Sequence, residues 1–158
     1  MDINRKFLLI TYVWDNDLRT IGPLYIYANA KKQNMDVQLL YINVTKELNT
    51  DALREYLCEN NFGVIGIGLK TMNYAYSIHL TEEIKKILPA AFIFWGGVHP
   101  TCMPEECLQH VDCIAIGEGE QVDIDIVNHY EDIDFLSKLD GIGLKNSDGA
   151  SSSELADK

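Results

Sequence analysis

Apolar residues gather in five short, near-continuous runs separated by stretches of a different period. The runs are Lys6 to Trp14, Val37 to Ile42, Val64 to Leu69, Ala91 to Trp95 and Cys113 to Ile116. Unbroken apolarity over four to eight residues, rich in aromatic and β-branched side chains, is what a strand covered on both faces requires. Between the runs the period becomes helical. Gly22-Pro23 opens a first helix whose apolar stripe is read as Leu24, Tyr25, Ala28 and Met35, with proline near a helix start, where no amide donor is needed. Thr50-Asp51 is read as the cap of a second helix carrying Leu53, Tyr56 and Leu57. A third spans Tyr74 to Leu88, with Ile78, Ile84 and Ile87 inward, and Pro89 ends it. Pro104 opens a short fourth helix through Leu108, and a fifth starts near Glu118 and runs past Val127.

Strand and helix alternate, and each connection is long enough for a crossover helix. That predicts a parallel sheet with helices on both faces. The expectation is an α/β, flavodoxin-like (Rossmann-like) three-layer sandwich with a five-stranded parallel sheet in the order 2-1-3-4-5. Residues 1–140 make up that domain. Residues 141–158 are read as a short strand (Gly141 to Lys145), an Asn146-Ser147-Asp148-Gly149 turn and a polar linker.

Composition narrows the partners. The chain has 158 residues and a formal charge of −11, from 13 basic against 24 acidic side chains. Such acidity excludes a basic face of the kind that tracks nucleic-acid phosphates or docks on anionic lipid. No apolar run approaches the roughly 18 residues of a membrane span, and Asp15-Asn16-Asp17 follows the first run where a signal peptide would offer a small-residue cleavage site. A cytoplasmic protein with reduced thiols is expected, since a chain of this size does not need disulfides among Cys58, Cys102, Cys107 and Cys113.

In a sheet of this class, ligands bind outside the carboxyl ends of the strands. Glycines collect there: Gly68 after the third run, Gly96 and Gly97 after the fourth, Gly117 and Gly119 after the fifth, and Gly22 at the first helix. Backbone without side chains leaves room for a bulky ligand. The tip Gly117-Glu118-Gly119-Glu120 carries two carboxylates and no cation, which would repel a nucleotide phosphate, and the glycines do not match the dinucleotide fingerprint. A large, amide-rich ligand suits the pattern better. His99, Cys102, Cys107, His110 and Cys113 crowd together, but their spacing matches no zinc motif. Asp123, Asp125, Glu131, Asp132 and Asp134 read as a solvated acidic helix face. No catalytic set assembles, and none is expected of this chain alone.

The segment Gly96-Gly97-Val98-His99-Pro100-Thr101, then Pro104-Glu105-Glu106, Asp112 and Gly117-Glu118-Gly119-Glu120 together resemble the N-terminal cobalamin-binding domain of cobalamin-dependent radical SAM enzymes. The likeness extends back through Val64 to Thr71 and on to Gly141-Ile142-Gly143-Leu144. It implies a corrinoid lying across the strand tips with its nucleotide tail beside the sheet. It also implies contacts from Asp17, Leu18, Arg19, Thr20, Gly22, Gly68, Lys70, Thr71, Gly96, Gly97, Val98, His99, Gly117, Glu118 and Gly119. The wider cobalamin-binding class carries Asp-x-His-x-x-Gly after the first strand, its histidine the lower ligand to cobalt. Here Asp17-Leu18-Arg19-Thr20-Ile21-Gly22 keeps the aspartate, the glycine and the spacing but has arginine at the histidine position. A guanidinium stays protonated and has no lone pair for a metal, so the chain is expected to bind cobalamin without a protein histidine ligand.

The Cys-x-x-x-Cys-x-x-Cys triplet that holds the family's iron–sulfur cluster is not present. The cluster, S-adenosylmethionine and the radical barrel are therefore expected in a catalytic domain outside this chain, with methyl transfer or a related reaction as the activity of the whole enzyme. The alternative is a docking domain of the same fold that does not bind cobalamin. A free-standing α/β enzyme acting on another small molecule is a third, weaker possibility.

Overall fold

The computed structural model of the chain describes residues 4–15 and 21–145. The elements in chain order are β1 (Phe7–Val13), α1 (Ile21–Lys32), β2 (Val37–Asn43), α2 (Thr50–Asn60) and β3 (Val64–Gly68). A single 3-10 turn, Thr71–Asn73, leads into α3 (Tyr74–Ile87). There follow β4 (Phe92–Gly96), α4 (Val98–Cys102), α5 (Pro104–Leu108), β5 (Cys113–Ala115), α6 (Gly119–His129), α7 (Ile133–Leu136) and β6 (Ile142–Leu144).

The sheet has six strands in the order β2-β1-β3-β4-β5-β6. The flavodoxin-like order 2-1-3-4-5 is present, and the neighbouring pairs from β2 to β5 are parallel. The sheet differs from the five-stranded expectation by β6, which pairs antiparallel with β5, Ala115 opposite Ile142. After β5 the chain passes through α6 and α7 and turns at Gly141, φ +79°, to enter β6 in the opposite direction. The turn and polar tail expected at 146–158 lie outside the described residues.

Alternation along the strands divides the core. Leu8, Ile10, Ile65, Ile67, Ile93 and Trp95 face α2, α3 and α5, against Leu53, Leu57, Leu80, Ile84 and Leu108. Phe7, Leu9, Val64 and Phe94 face α1, α6 and α7, against Ala30, Ile124, Ile126, Val127 and Leu136. Both sheet faces are covered, which is why the strands read as solid apolar runs. Two buried polar pairs lie within the first layer: Trp95 Nε1 donates to Thr81 Oγ1 at 3.0 Å, and the Tyr12 and Ser77 hydroxyls meet at 2.7 Å.

Three local readings change. In α1 the face against the sheet is Ile26, Tyr27 and Ala30, while Leu24 and Tyr25, taken from the sequence as inward, are exposed. The cap of α2 is Asn49, whose side chain accepts from the Ala52 amide, rather than Thr50-Asp51. In α3 the buried line is Ser77, Leu80, Thr81 and Ile84, with Ile78 and Ile87 at its flanks.

Candidate functional site

The order 2-1-3 places a switch between β1 and β3, because the chain leaves β1 toward one edge of the sheet and later returns on its other side. A cavity of about 570 Å³ opens at that point, on the carboxyl ends of the strands. Leu9, Thr11 and Tyr12 of β1, Ile67 and Gly68 of β3, and Phe94 and Gly96 of β4 contribute its sheet side. Pro23 and Ile26 of α1 and Asp123 of α6 close it from the helical layer. Exposed Ile21 and Val98 stand at its mouth.

Glycine makes this space at two positions above all. A Cβ on Gly68 would meet nothing nearer than Pro23 Cγ at 3.7 Å, so its lack of a side chain leaves the cavity floor open. Gly97 has φ +102°, and a Cβ there would stand 2.8 Å from the Leu69 carbonyl oxygen; only glycine accepts both conditions. The tips are tied together by short hydrogen bonds. Leu69 N donates to Gly96 O at 2.9 Å. Thr101 Oγ1 donates to Gly97 O at 2.9 Å and accepts from Gly117 N at 3.0 Å, linking the fourth and fifth tips. Thr101 carries no signal of this role in sequence beyond its place in the Gly-Gly-x-His-x-Thr segment.

Of the residues expected to contact a ligand, Gly22, Gly68, Lys70, Gly96, Gly97, Val98, Gly117, Glu118 and Gly119 line the cavity. Asp17, Leu18, Arg19 and Thr20 lie outside the described residues. Thr71 and His99 do not line it. They meet each other, His99 Nδ1 and Thr71 Oγ1 at 3.2 Å, with the His99 ring 4.6 Å from that of Tyr74. His99 is buried, and its place is behind the tips, joining the turn after β3 to the one after β4. Lining residues that the sequence did not single out are Leu9, Thr11, Tyr12, Trp14, Pro23, Ile26, Asn73, Phe94, Cys102 and Asp123. The strand members among them carried a usable signal, since alternation along β1 and β3 fixes which face each side chain joins.

Asp123 is the largest correction. Read as part of a solvated acidic face, it is only 3% exposed, and its Oδ1 has no hydrogen-bond partner among the described residues. Burial pushes its carboxyl up to about 8. The crowded cysteines and histidines disperse. Cys107 and Cys113 are buried, and burial raises both thiols. His110 packs flat on Trp95 and meets the Tyr74 hydroxyl through Nε2 at 3.2 Å. Among the described residues no three His, Cys, Asp or Glu side chains converge as for a metal ion, and no helix is long and apolar enough to cross a membrane.

A doubly wound α/β domain with a glycine-floored, largely apolar cavity at its switch point defines a module that takes a bulky organic ligand at its strand tips. The chain belongs to the B12 binding domain family, whose model matches residues 8–127. No curated protein sequence matches it. Among solved structures, it is similar to the radical S-adenosylmethionine methyltransferase TsrM from Kitasatospora setae, in a form with tryptophan substrate and a SAM analogue bound. That match has 13% identity and a TM-score of 0.79 over 92% of this chain and 29% of that one. The cobalamin-dependent S-adenosylmethionine radical enzyme OxsB with aqua-cobalamin bound follows at 14% identity and a TM-score of 0.73, over 92% of this chain and 22% of that one. A cobalamin-binding protein from Desulfitobacterium hafniense is similar at 16% identity and a TM-score of 0.54, over 77% and 57%. The chain thus spans less than a third of the length of TsrM or OxsB.

The residues present fit a corrinoid. The floor that a Cβ at Gly68 would begin to fill is bare, the rim is apolar at Ile21 and Val98, and a single cation, Lys70, lines the space among the described residues. A wide macrocycle edged with neutral amides needs such a rim and no phosphate cradle of the nucleotide type.

Proposed function

We propose that this chain is the cobalamin-carrying module of a larger radical S-adenosylmethionine enzyme, a methyltransferase or a relative of one. The observation that carries the reading is the glycine-floored cavity at the β1/β3 switch in a chain of the B12 binding domain family. Gly68, Gly96, Gly97 and Gly117 give the macrocycle its seat, and Ile21 and Val98 shield its edge from water. Thr101, Thr71 and His99 hold the tips at fixed spacing. When bound, cobalamin supplies a cobalt centre able to carry a methyl group.

No histidine lines the cavity among the described residues, and Arg19 occupies the sequence position where the wider class has its ligating histidine. A guanidinium at that position would offer a bound cobalt no lone pair. In the larger enzyme, the cluster and S-adenosylmethionine would belong to a separate catalytic domain. With four unpaired thiols and a net charge of −11, the module works in the cytoplasm and does not act on nucleic acid.

Titration with hydroxocobalamin tests this. At about a hundred times its dissociation constant the ligand adds roughly 2.7 kcal/mol, which raises the melting temperature of a domain this size by roughly 5–10 °C. The protein should also retain corrinoid colour through gel filtration. Loaded with cob(II)alamin, it should give an EPR spectrum without superhyperfine splitting from a protein nitrogen. An unchanged melting curve and a colourless protein would favour the docking role.

A further inference from the structure

Asp123 lies one turn into α6, and its carboxyl points to the sheet instead of to water, 97% of its surface covered. Its Oδ1 stands 3.0 Å from where a Cβ on Gly119 would be, and 3.9 Å from the same point on Gly96. Two glycines from different elements thus pack close beside a buried oxygen that has no partner among the described residues. Ile26 from α1 packs its Cδ1 against the same Gly119 corner, and Cys113 of β5 is close enough to feel the Asp123 charge. An unpaired buried carboxyl costs stability, and an apolar residue would remove the cost. A ligand that completes the hydrogen bond is the condition under which the group fits its place.

The chemistry of that ligand portion is narrow. Burial holds the carboxyl up to about 8, so near neutral pH it is mainly the neutral acid, able to donate. The cavity it joins is largely apolar, with Leu9, Ile26 and Phe94 among its lining side chains. A largely apolar cavity with a neutral acid in its wall suits a flat, uncharged heterocycle with a lone pair on a ring nitrogen. In a corrinoid, that description belongs to the base at the end of the nucleotide arm when the base does not ligate cobalt. We propose that Asp123 is the specificity-determining contact for that base, its carboxyl hydrogen-bonded to a ring nitrogen. The inference rests on the corrinoid reading above and names which part of the molecule the cavity selects.

Three corrinoids separate the possibilities: hydroxocobalamin, p-cresolyl cobamide (a phenolic base with no ring nitrogen) and dicyanocobinamide (no base at all). Dissociation constants are measured by absorbance on the wild-type chain, Asp123→Leu and Asp123→Ala, with the melting temperature of each ligand-free protein. Both substitutions should weaken hydroxocobalamin about tenfold, the loss of one buried hydrogen bond. They should leave the other two ligands within about twofold of wild type, since neither presents the acceptor. Ligand-free Asp123→Leu should melt at or above wild type. Equal weakening of all three ligands, in either variant, would show a structural role and overturn the assignment, as would unchanged hydroxocobalamin binding. A wild-type chain that binds none of the three would instead bring down the corrinoid reading, and this contact with it.

Discussion

The two ends of one sheet are finished in opposite ways. At the amino ends, polar side chains satisfy one another. Asn4 Nδ2 donates to Asn61 O at 2.7 Å, Lys6 Nζ and Gln38 Nε2 both donate to Asn60 Oδ1 at 3.0 Å, and Tyr56 OH donates to Gln38 Oε1 at 2.6 Å. A depression of about 700 Å³ lies there, larger than the cavity at the other end, but residues of this network and their polar neighbours line most of it. At the carboxyl ends the floor is bare backbone, Asp123 Oδ1 is unpaired among the described residues and apolar side chains stand in water. Size does not distinguish the two hollows. Saturation of the lining polar groups does: one end spends its hydrogen-bonding capacity on the fold, and the other keeps some of it for a ligand.

Glycine exposes the contrast most sharply. A Cβ at Gly63, at the amino end, would stand 1.7 Å from the Asn4 carbonyl oxygen. The obstacle is backbone, held by Gly63 N donating to Lys6 O at 3.0 Å and by the Asn4 side chain on Asn61, so relief means peeling away the strand that precedes β1. Gly63→Ala should therefore destabilise by on the order of 3 kcal/mol, lowering the melting temperature by roughly 10 °C as followed by circular dichroism. The fraction still folded should bind hydroxocobalamin with unchanged affinity. A variant that melts like wild type would show that the amino end is not the closed end described.

The open end shows itself through pH. Unfolded, the Asp123 carboxyl ionises near its ordinary value of 3.8, whereas burial in the folded state holds it up to about 8. Between those values the folded chain keeps a proton that the unfolded chain has released, so stability falls as pH rises through the window and levels off above it. The titratable neighbour on β5, Cys113, has its thiol raised by burial and then by the Asp123 charge, and it stays neutral throughout. The melting temperature of the ligand-free wild type should thus drop by roughly 10 °C relative to Asp123→Leu between roughly pH 5 and pH 8. Parallel curves for the two proteins would mean that the carboxyl is solvated and the open end less dry than described.

Much of this was legible in the chain. Solid apolar runs separated by helical stretches gave the α/β class, the class supplied the order 2-1-3-4-5, and the glycines after the third, fourth and fifth runs do line one cavity. What escaped has physical reasons. The segment around α1 is apolar nearly all round, so its periodicity could not decide between Leu24-Tyr25 and Ile26-Tyr27-Ala30 as the inward face. In α6, Asp123 and Asp125 alternate with apolar residues, and charge alone suggested water for both, although one faces the sheet. The antiparallel β6 is three residues long, too short for its partner or direction to be written in a pattern. His99 and Thr71 carry a family motif, yet the motif does not say whether they touch a ligand or brace the loops that do.

Gly68→Val separates folding from binding with the mildest change. Gly68 ends β3, opposite Thr11 of β1 and Gly96 of β4. Its Cβ would find Pro23 Cγ at 3.7 Å and Ile10 O at 3.8 Å, ordinary contact distances, and a β-branched residue suits an extended strand end. The valine methyls then enter the cavity floor. Stability should stay within about 1 kcal/mol of wild type, so the melting temperature moves by only a few degrees. Hydroxocobalamin affinity should fall about tenfold, which corresponds to roughly 1.4 kcal/mol of lost fit. This is the mirror image of Gly63→Ala: one added carbon position costs the fold and spares the ligand, the other spares the fold and costs the ligand. If Gly68→Val binds as tightly as wild type, the macrocycle does not rest on this floor, and the seat must lie farther out, over Ile21 and Val98.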